Sequence, residues 1–182
     1  MKMALTGTHH VAITVSDLEQ SLKFYSGILG LRHLNTVIVS EKQVFRLFRL
    51  MGVKVLCAEL RAGRSGRVEL YHFESVRKVP EKYDFERIGL QHIAFTVRDL
   101  DETGRSLEAA GVEVLNDPAP SGNGTRVIFI RDPDGTLIQL VESPLAITPI
   151  GRALTIVNRI LGRFGRDSRA LVGTTISKET QK

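Results

Sequence analysis

The 182-residue chain has no tryptophan, a single cysteine and few aromatic residues of any kind, 6% in all. One cysteine, Cys57, excludes an internal disulfide framework and suits a reducing compartment, so the cytoplasm is the expected location. No stretch reaches the run of about 18 apolar residues that a membrane-spanning helix requires. The opening Met1–Gly7 lacks the long apolar segment of a secretory signal. What is present is ordinary for a soluble domain: 42% apolar residues, enough for a sizeable core. The net charge of +5 invites a search for an anionic partner, but its location matters. From Leu145 onward seven basic residues face two acidic ones, leaving eighteen of each sign in residues 1–144. The body is electrically neutral and the basicity belongs to the tail. A basic nucleic-acid-binding body is therefore excluded.

The body repeats itself. His10-Val11-Ala12-Ile13-Thr14-Val15-Ser16-Asp17-Leu18-Glu19 aligns with His92-Ile93-Ala94-Phe95-Thr96-Val97-Arg98-Asp99-Leu100-Asp101 at a constant offset of 82. Side-chain alternation in each copy predicts a short strand. A helix should follow both. In the first copy Ser16 with Glu19 forms a candidate capping box, Leu18, Leu22, Tyr25, Ile28 and Leu29 run at helical spacing, and Gly30 supplies a stop. In the second, Asp99 with Glu102 starts the helix, Leu100, Leu107 and Ala110 form its stripe, and Gly111 ends it.

More strands follow each helix. In the first half Leu31–Val39 is expected to be extended, and 53–60 and 67–74 to form a hairpin; between Val39 and that hairpin, 41–50 fits a helical insert through Val44, Leu47, Phe48 and Met51, the alternative being a continued strand over 44–48. In the second half 112–115 reads as a short strand, 118–124 as a loop and 125–131 and 136–142 as a hairpin around the turn Asp132-Pro133-Asp134-Gly135. The expected fold is α+β: two βαβββ modules at 7–76 and 89–144 forming a curved mixed sheet around a cleft, joined by a linker at 77–88. A basic helical extension and tail occupy 145–182, with Ile150, Leu154, Val157, Leu161 and Phe164 in one stripe. Packing of that helix on the body or across a dimer is expected, the alternative being a membrane-surface or anionic-partner role without stable insertion.

Polar residues recur at equivalent places in the two halves. His10 and His92 open the first strands; Glu69 and Gln139 stand inside the last strands, each between apolar neighbours. If the modules pair about a pseudo-two-fold axis, two imidazoles, one carboxylate and one amide oxygen converge as ligands for a divalent metal. A lone strand histidine is more often an ordinary surface residue; the shared offset argues otherwise. His9 is expected on the opposite strand face, at the surface. Cys57 reads as buried packing rather than a nucleophile. Tyr71 and His72 receive no role from sequence.

The phrases His9–Glu19, Phe24-Tyr25 with Leu29-Gly30-Leu31, Gln91–Phe95 and Arg131–Gly135 resemble the vicinal-oxygen-chelate superfamily across about Thr8 to Ser143. That superfamily includes glyoxalase I, methylmalonyl-CoA epimerase, extradiol dioxygenases, fosfomycin-resistance proteins and bleomycin-binding proteins. The resemblance implies metal ligands at His10, Glu69, His92 and Gln139. It further implies a divalent cofactor (Zn, Ni, Co, Mn or Fe(II)), a small-molecule substrate and a homodimer. Glyoxalase-like members usually carry glutamate where this chain has Gln139, and an amide cannot act as a base. Glu69 is thus the expected catalytic base of a lyase or isomerase, the alternatives being an Fe(II) ring-cleaving dioxygenase using His10, His92 and Glu69, and a metal-free binding protein.

Overall fold

The computed structural model describes residues 4–64, 66–75, 85–86, 88–121 and 124–142. The first module comprises β1 (Val11–Thr14), α1 (Leu18–Leu22), β2 (Arg32–Val39), α2 (Glu41–Phe48), β3 (Val55–Ala62) and β4 (Gly66–Phe73). The second comprises β5 (Ile93–Val97), α3 (Leu100–Ala109), β6 (Ala119–Ser121), β7 (Thr125–Arg131) and β8 (Leu137–Glu142). Each module makes a four-stranded mixed sheet, ordered β1-β4-β3-β2 in the first and β5-β8-β7-β6 in the second. In each, the first strand runs parallel to the last and the remaining neighbours are antiparallel. These are two βαβββ units, the first carrying an inserted helix between its second and third strands.

Alternation along the strands sorts each sheet into two faces. Ile13, Ala58, Leu60, Val68 and Leu70 of the first sheet, and Ile93, Ile128, Ile130, Ile138 and Leu140 of the second, are buried in one common core with Leu18, Phe24, Tyr25, Leu100 and Leu107 of the helices. The opposite faces carry Ala12, Thr14, Glu59, Glu69 and Tyr71 in one sheet and Ala94, Thr96, Phe129 and Gln139 in the other. We call these the open faces.

Helix α1 departs from the expected cap. Asp17, not Ser16, is the N-cap: its carboxylate accepts the Gln20 N–H at 2.9 Å. The Ser16 N–H is taken instead by the Asp134 carboxylate of the other module, at 3.0 Å. The helix then widens into a π-helical turn over Lys23–Ile28, where the Leu29 N–H reaches the Phe24 carbonyl. The consecutive aromatics of this turn, Phe24 and Tyr25, are both buried. In α3, Asp99 caps as expected by accepting the Glu102 N–H.

The segment 112–115 does not form the expected strand. Only Val114 makes a bridge, to Ile130, and the strand lies later, at β6, inside the expected loop. The reason is Asn116: its side-chain oxygen accepts the Phe129 N–H at 2.8 Å and its amide donates to the Val127 carbonyl. The side chain thus occupies the bonding positions of β7, and pairing resumes only past Pro118, which has no N–H to offer. The insert α2 is helical, started by a capping box between Ser40 and Gln43. The helical extension and tail at 145–182 lie outside the described residues, as does most of the 77–88 linker. Among the described residues no helix is long and apolar enough to cross a membrane.

Candidate metal and substrate site

Glu69 stands in the middle of β4 on its open face, with Ala12 of β1 on one side and Glu59 of β3 on the other. One of its oxygens, Oε1, lies 3.5 Å from Nδ1 of His10, the residue immediately before β1. The other, Oε2, accepts a hydrogen bond from the Tyr71 hydroxyl at 3.0 Å. Tyr71 is two residues further along β4 and so on the same face. Its ring stacks near Phe73 and meets Phe48 of α2 edge-on, with Phe48 also against Phe73. The insert therefore closes one end of this face and holds the tyrosine that holds the carboxylate. Burial, with Cys57 and Glu69 beside it, raises the Tyr71 hydroxyl well above the ordinary phenol range, so it remains a donor. Cys57 is buried directly across from Tyr71 on β3, and burial raises its thiol as well.

The second sheet repeats the arrangement with different chemistry. Gln139 lies in β8 opposite Ala94 of β5 on one side and Phe129 of β7 on the other. His92 immediately precedes β5, shares the parity of Ala94, and packs edge-on against Phe129. Its Nδ1 lies 2.9 Å from the Gln91 amide oxygen. Ala12 and Ala94 hold the same place in the two sheets, each between a histidine two residues earlier and an oxygen donor across the strand.

The structure thus joins His10 to Glu69 and puts His92 on the face of Gln139. It does not bring all four together: among the described residues no three of the His, Cys, Asp and Glu side chains group as a metal site within one chain. Both β1 and β5 are edge strands, and their open-face residues Ala12, Thr14, Ala94 and Thr96 are small and exposed. Two half-sets of donors therefore lie beside the strands that end the pairing order of each sheet.

His9 is exposed, as expected, but it is not set on the opposite face by strand alternation. β1 begins only at Val11, so strand alternation does not govern the preceding pair, and the His9 and His10 Nδ1 atoms lie 2.8 Å apart. His72 faces away from Glu69, its Nδ1 reaching the Val15 carbonyl at 3.3 Å. Tyr71 was discoverable from sequence by its two-residue spacing from Glu69. Its hydrogen bond was not.

A cavity of about 860 Å³ opens between the modules, with His9, His10 and Arg67 on one side and Phe95, Thr103 and Ser106 on the other. At the other junction the modules meet tightly. The Asp132-Pro133-Asp134-Gly135 turn packs on α1, and the Tyr25 hydroxyl donates to Asp132 at 2.8 Å. The Asp132 carboxyl also receives the Asp134 and Thr136 N–H groups. Burial raises its pKa above the ordinary 3.8, with the Tyr25 and Thr136 hydrogen bonds opposing.

Residues 7–140 match the family model of the Glyoxalase/Bleomycin resistance protein/Dioxygenase superfamily. A probable lactoylglutathione lyase of Synechocystis is 32% identical over 135 residues, covering 74% of this chain and 93% of its own length. A 2-epi-5-epi-valiolone epimerase of Actinomyces is 30% identical over 148 residues, covering 75% of this chain and 79% of its own. Among solved structures, a glyoxalase family protein from Bacillus cereus superposes with a TM-score of 0.69 at 26% identity, covering 78% of this chain and 96% of that one.

Proposed function

This chain belongs to the Glyoxalase/Bleomycin resistance protein/Dioxygenase superfamily, and we propose that it is a metal-dependent lyase or isomerase acting on a small oxygenated molecule. The observation that carries the reading is the His10–Glu69 pair, 3.5 Å apart on an open sheet face, with His92 and Gln139 at the same places on the second sheet. Relatives named lactoylglutathione lyase and valiolone epimerase support lyase or isomerase chemistry within that superfamily.

The donor set fits a divalent ion: imidazole nitrogens from His10 and His92, a carboxylate oxygen from Glu69 and an amide oxygen from Gln139. When bound, the ion supplies Lewis-acid chemistry toward neighbouring substrate oxygens. The proton chemistry falls to Glu69, the single carboxylate of the four, which takes a proton from the carbon alpha to a carbonyl and delivers it to the adjacent, former carbonyl carbon. Gln139 orients and donates an oxygen, with no proton to exchange. Because the two half-sets stand on separate sheets and form no three-residue donor group among the described residues, a second copy of the chain is expected to complete each site, His10 and Glu69 of one protomer facing His92 and Gln139 of its partner.

Metal content of protein purified without chelators or a polyhistidine tag is the primary test. Near-stoichiometric metal is expected in the wild type and is lost in both His10→Ala and His92→Ala. Zinc, nickel, cobalt or manganese agrees with the lyase or isomerase, whereas iron with oxygen uptake on catechols shifts the assignment to a dioxygenase. No metal after reconstitution with each ion overturns the reading and leaves a metal-free binding protein. Conversion of a 2-oxoaldehyde–glutathione hemithioacetal to its thioester then tests the activity. Glu69→Gln is expected to abolish turnover with metal still bound; unchanged turnover rules out Glu69 as the base.

A further inference from the structure

The open face of the first sheet carries a row of arginines that nothing in its packing requires. Arg32 of β2 is directly opposite Arg61 of β3, and Arg61 is directly opposite Arg67 of β4. Directly opposed residues share a face, so three guanidinium groups project from one side of the sheet in consecutive strands. Arg61 and Arg67 are only partly exposed. Like charges at such spacing repel, and a sheet gains nothing by lining them up. Only Arg67 is neutralised, by an ion pair with Glu59. Among the described residues no carboxylate pairs with Arg32 or Arg61.

The position of the row gives it meaning. Arg67 and Arg61 lie two residues from Glu69 and Glu59, which face each other across β4 and β3, so the arginines form the adjacent row on the same face. His10 immediately precedes Val11, the partner of Val68, and His10 and Arg67 line the same cavity. A cationic row thus begins beside His10 and Glu69 and runs outward for the width of three strands, with Arg67 alone of the three bordering the cavity. Planar guanidinium forks match the paired oxygens of carboxylates and phosphates.

We propose that the Arg32–Arg61–Arg67 row is a subsite for an oxyanion of the substrate, so that the molecule processed at Glu69 carries a carboxylate or phosphate group beyond its reacting oxygens. This names the substrate class of the site proposed above and rests on that reading for its catalytic meaning. The binding itself does not.

The test uses the full chain as purified, with inorganic phosphate and acetate as separate probes at constant ionic strength maintained with chloride. Affinities come from the shift of the thermal midpoint with probe concentration. In the wild type one or both anions are expected to raise the midpoint above the chloride control, and the stronger of the two identifies the group. Arg32→Gln/Arg61→Gln is expected to weaken that binding by about tenfold or more, on the scale of lost hydrogen bonds to a charged group. In chloride alone Arg61→Gln should unfold no lower than wild type, because it removes repulsion rather than support.

The proposal is overturned if neither anion acts beyond chloride, if the response survives in the double variant, or if Arg61→Gln unfolds lower in chloride while its anion response is intact. Metal content separates the two readings. Loss of the anion response in the double variant, in a chain that holds no metal in any form, leaves the oxyanion subsite standing and removes the metal enzyme. Normal metal with no anion response does the reverse.

Discussion

Glu69 is held from two directions, and its two oxygens do different work. Oε1 faces His10, while Oε2 is bound by the Tyr71 hydroxyl. A carboxylate fixed through one oxygen presents the other in a constant orientation, which favours both metal binding and proton transfer. Partners that orient a metal-binding side chain typically matter by about 10–100-fold in affinity. Tyr71→Phe keeps the ring against Phe48 and Phe73 and removes only the hydroxyl. We expect its cobalt affinity, measured by titration of the metal-free protein, to fall by about tenfold, with thermal stability close to wild type. Unchanged affinity would show that the hydrogen bond does not position the carboxylate. At this scale the sequence offers candidate residues and is silent about how they meet. The repeat at an offset of 82 singles out His10 and His92. Nothing in linear order places Arg32 beside Arg61, because that neighbour relation is set by hairpin register and by the irregularity between His33 and Asn35 in β2.

At the scale of elements the two junctions between modules are unlike each other. One is closed by the Asp132–Gly135 turn, whose buried carboxyl gathers the Tyr25 hydroxyl and two backbone N–H groups. The other, where α3 approaches the turn between β3 and β4, is the cavity. Residues 132–135 were legible as a turn but not as a joint, since a sequence shows the local chemistry of a turn and not the helix that docks on it. Asp17 caps α1 at the repeat-equivalent of Asp99, which caps α3. Tyr25→Phe leaves Asp132 short of one donor in a buried setting and should cost about 1–3 kcal/mol, read from urea unfolding. Asp132 itself should leave a pH signature. Its raised folded-state pKa means the folded chain holds this proton more tightly than the unfolded one. It therefore favours folding below the ordinary 3.8 and progressively less as pH rises toward its folded value. Asp132→Asn has no such proton to lose. The stability of the variant relative to wild type should thus rise between about pH 4 and pH 7. A constant difference across that range would mean that the carboxyl titrates as it does in the unfolded chain.

For the whole molecule the question is how two half-sites become one. The duplication, the βαβββ order and the shared core were all legible, because strand alternation and helical spacing survive in both copies. The assembly was not, because sequence symmetry is equally compatible with pairing of modules within a chain and between chains. Among the described residues His92 forms no three-residue donor group with His10 and Glu69, and β1 and β5 each end the pairing order of their sheet, which favours pairing between chains. Edges of that kind call for a cover. Complementation tests whether the cover is a second copy. In a dimer that shares its sites, a His10→Ala chain paired with a His92→Ala chain produces one site with both lesions and one with neither. Each parent alone should bind no metal. After co-refolding, mixed dimers should recover one ion per dimer, with turnover to match if the lyase or isomerase assignment holds. Sites built within single chains would stay empty in the mixture, since every chain would carry its own lesion. That outcome would remove the shared-site dimer and require His92 to reach His10 by rearrangement inside one chain.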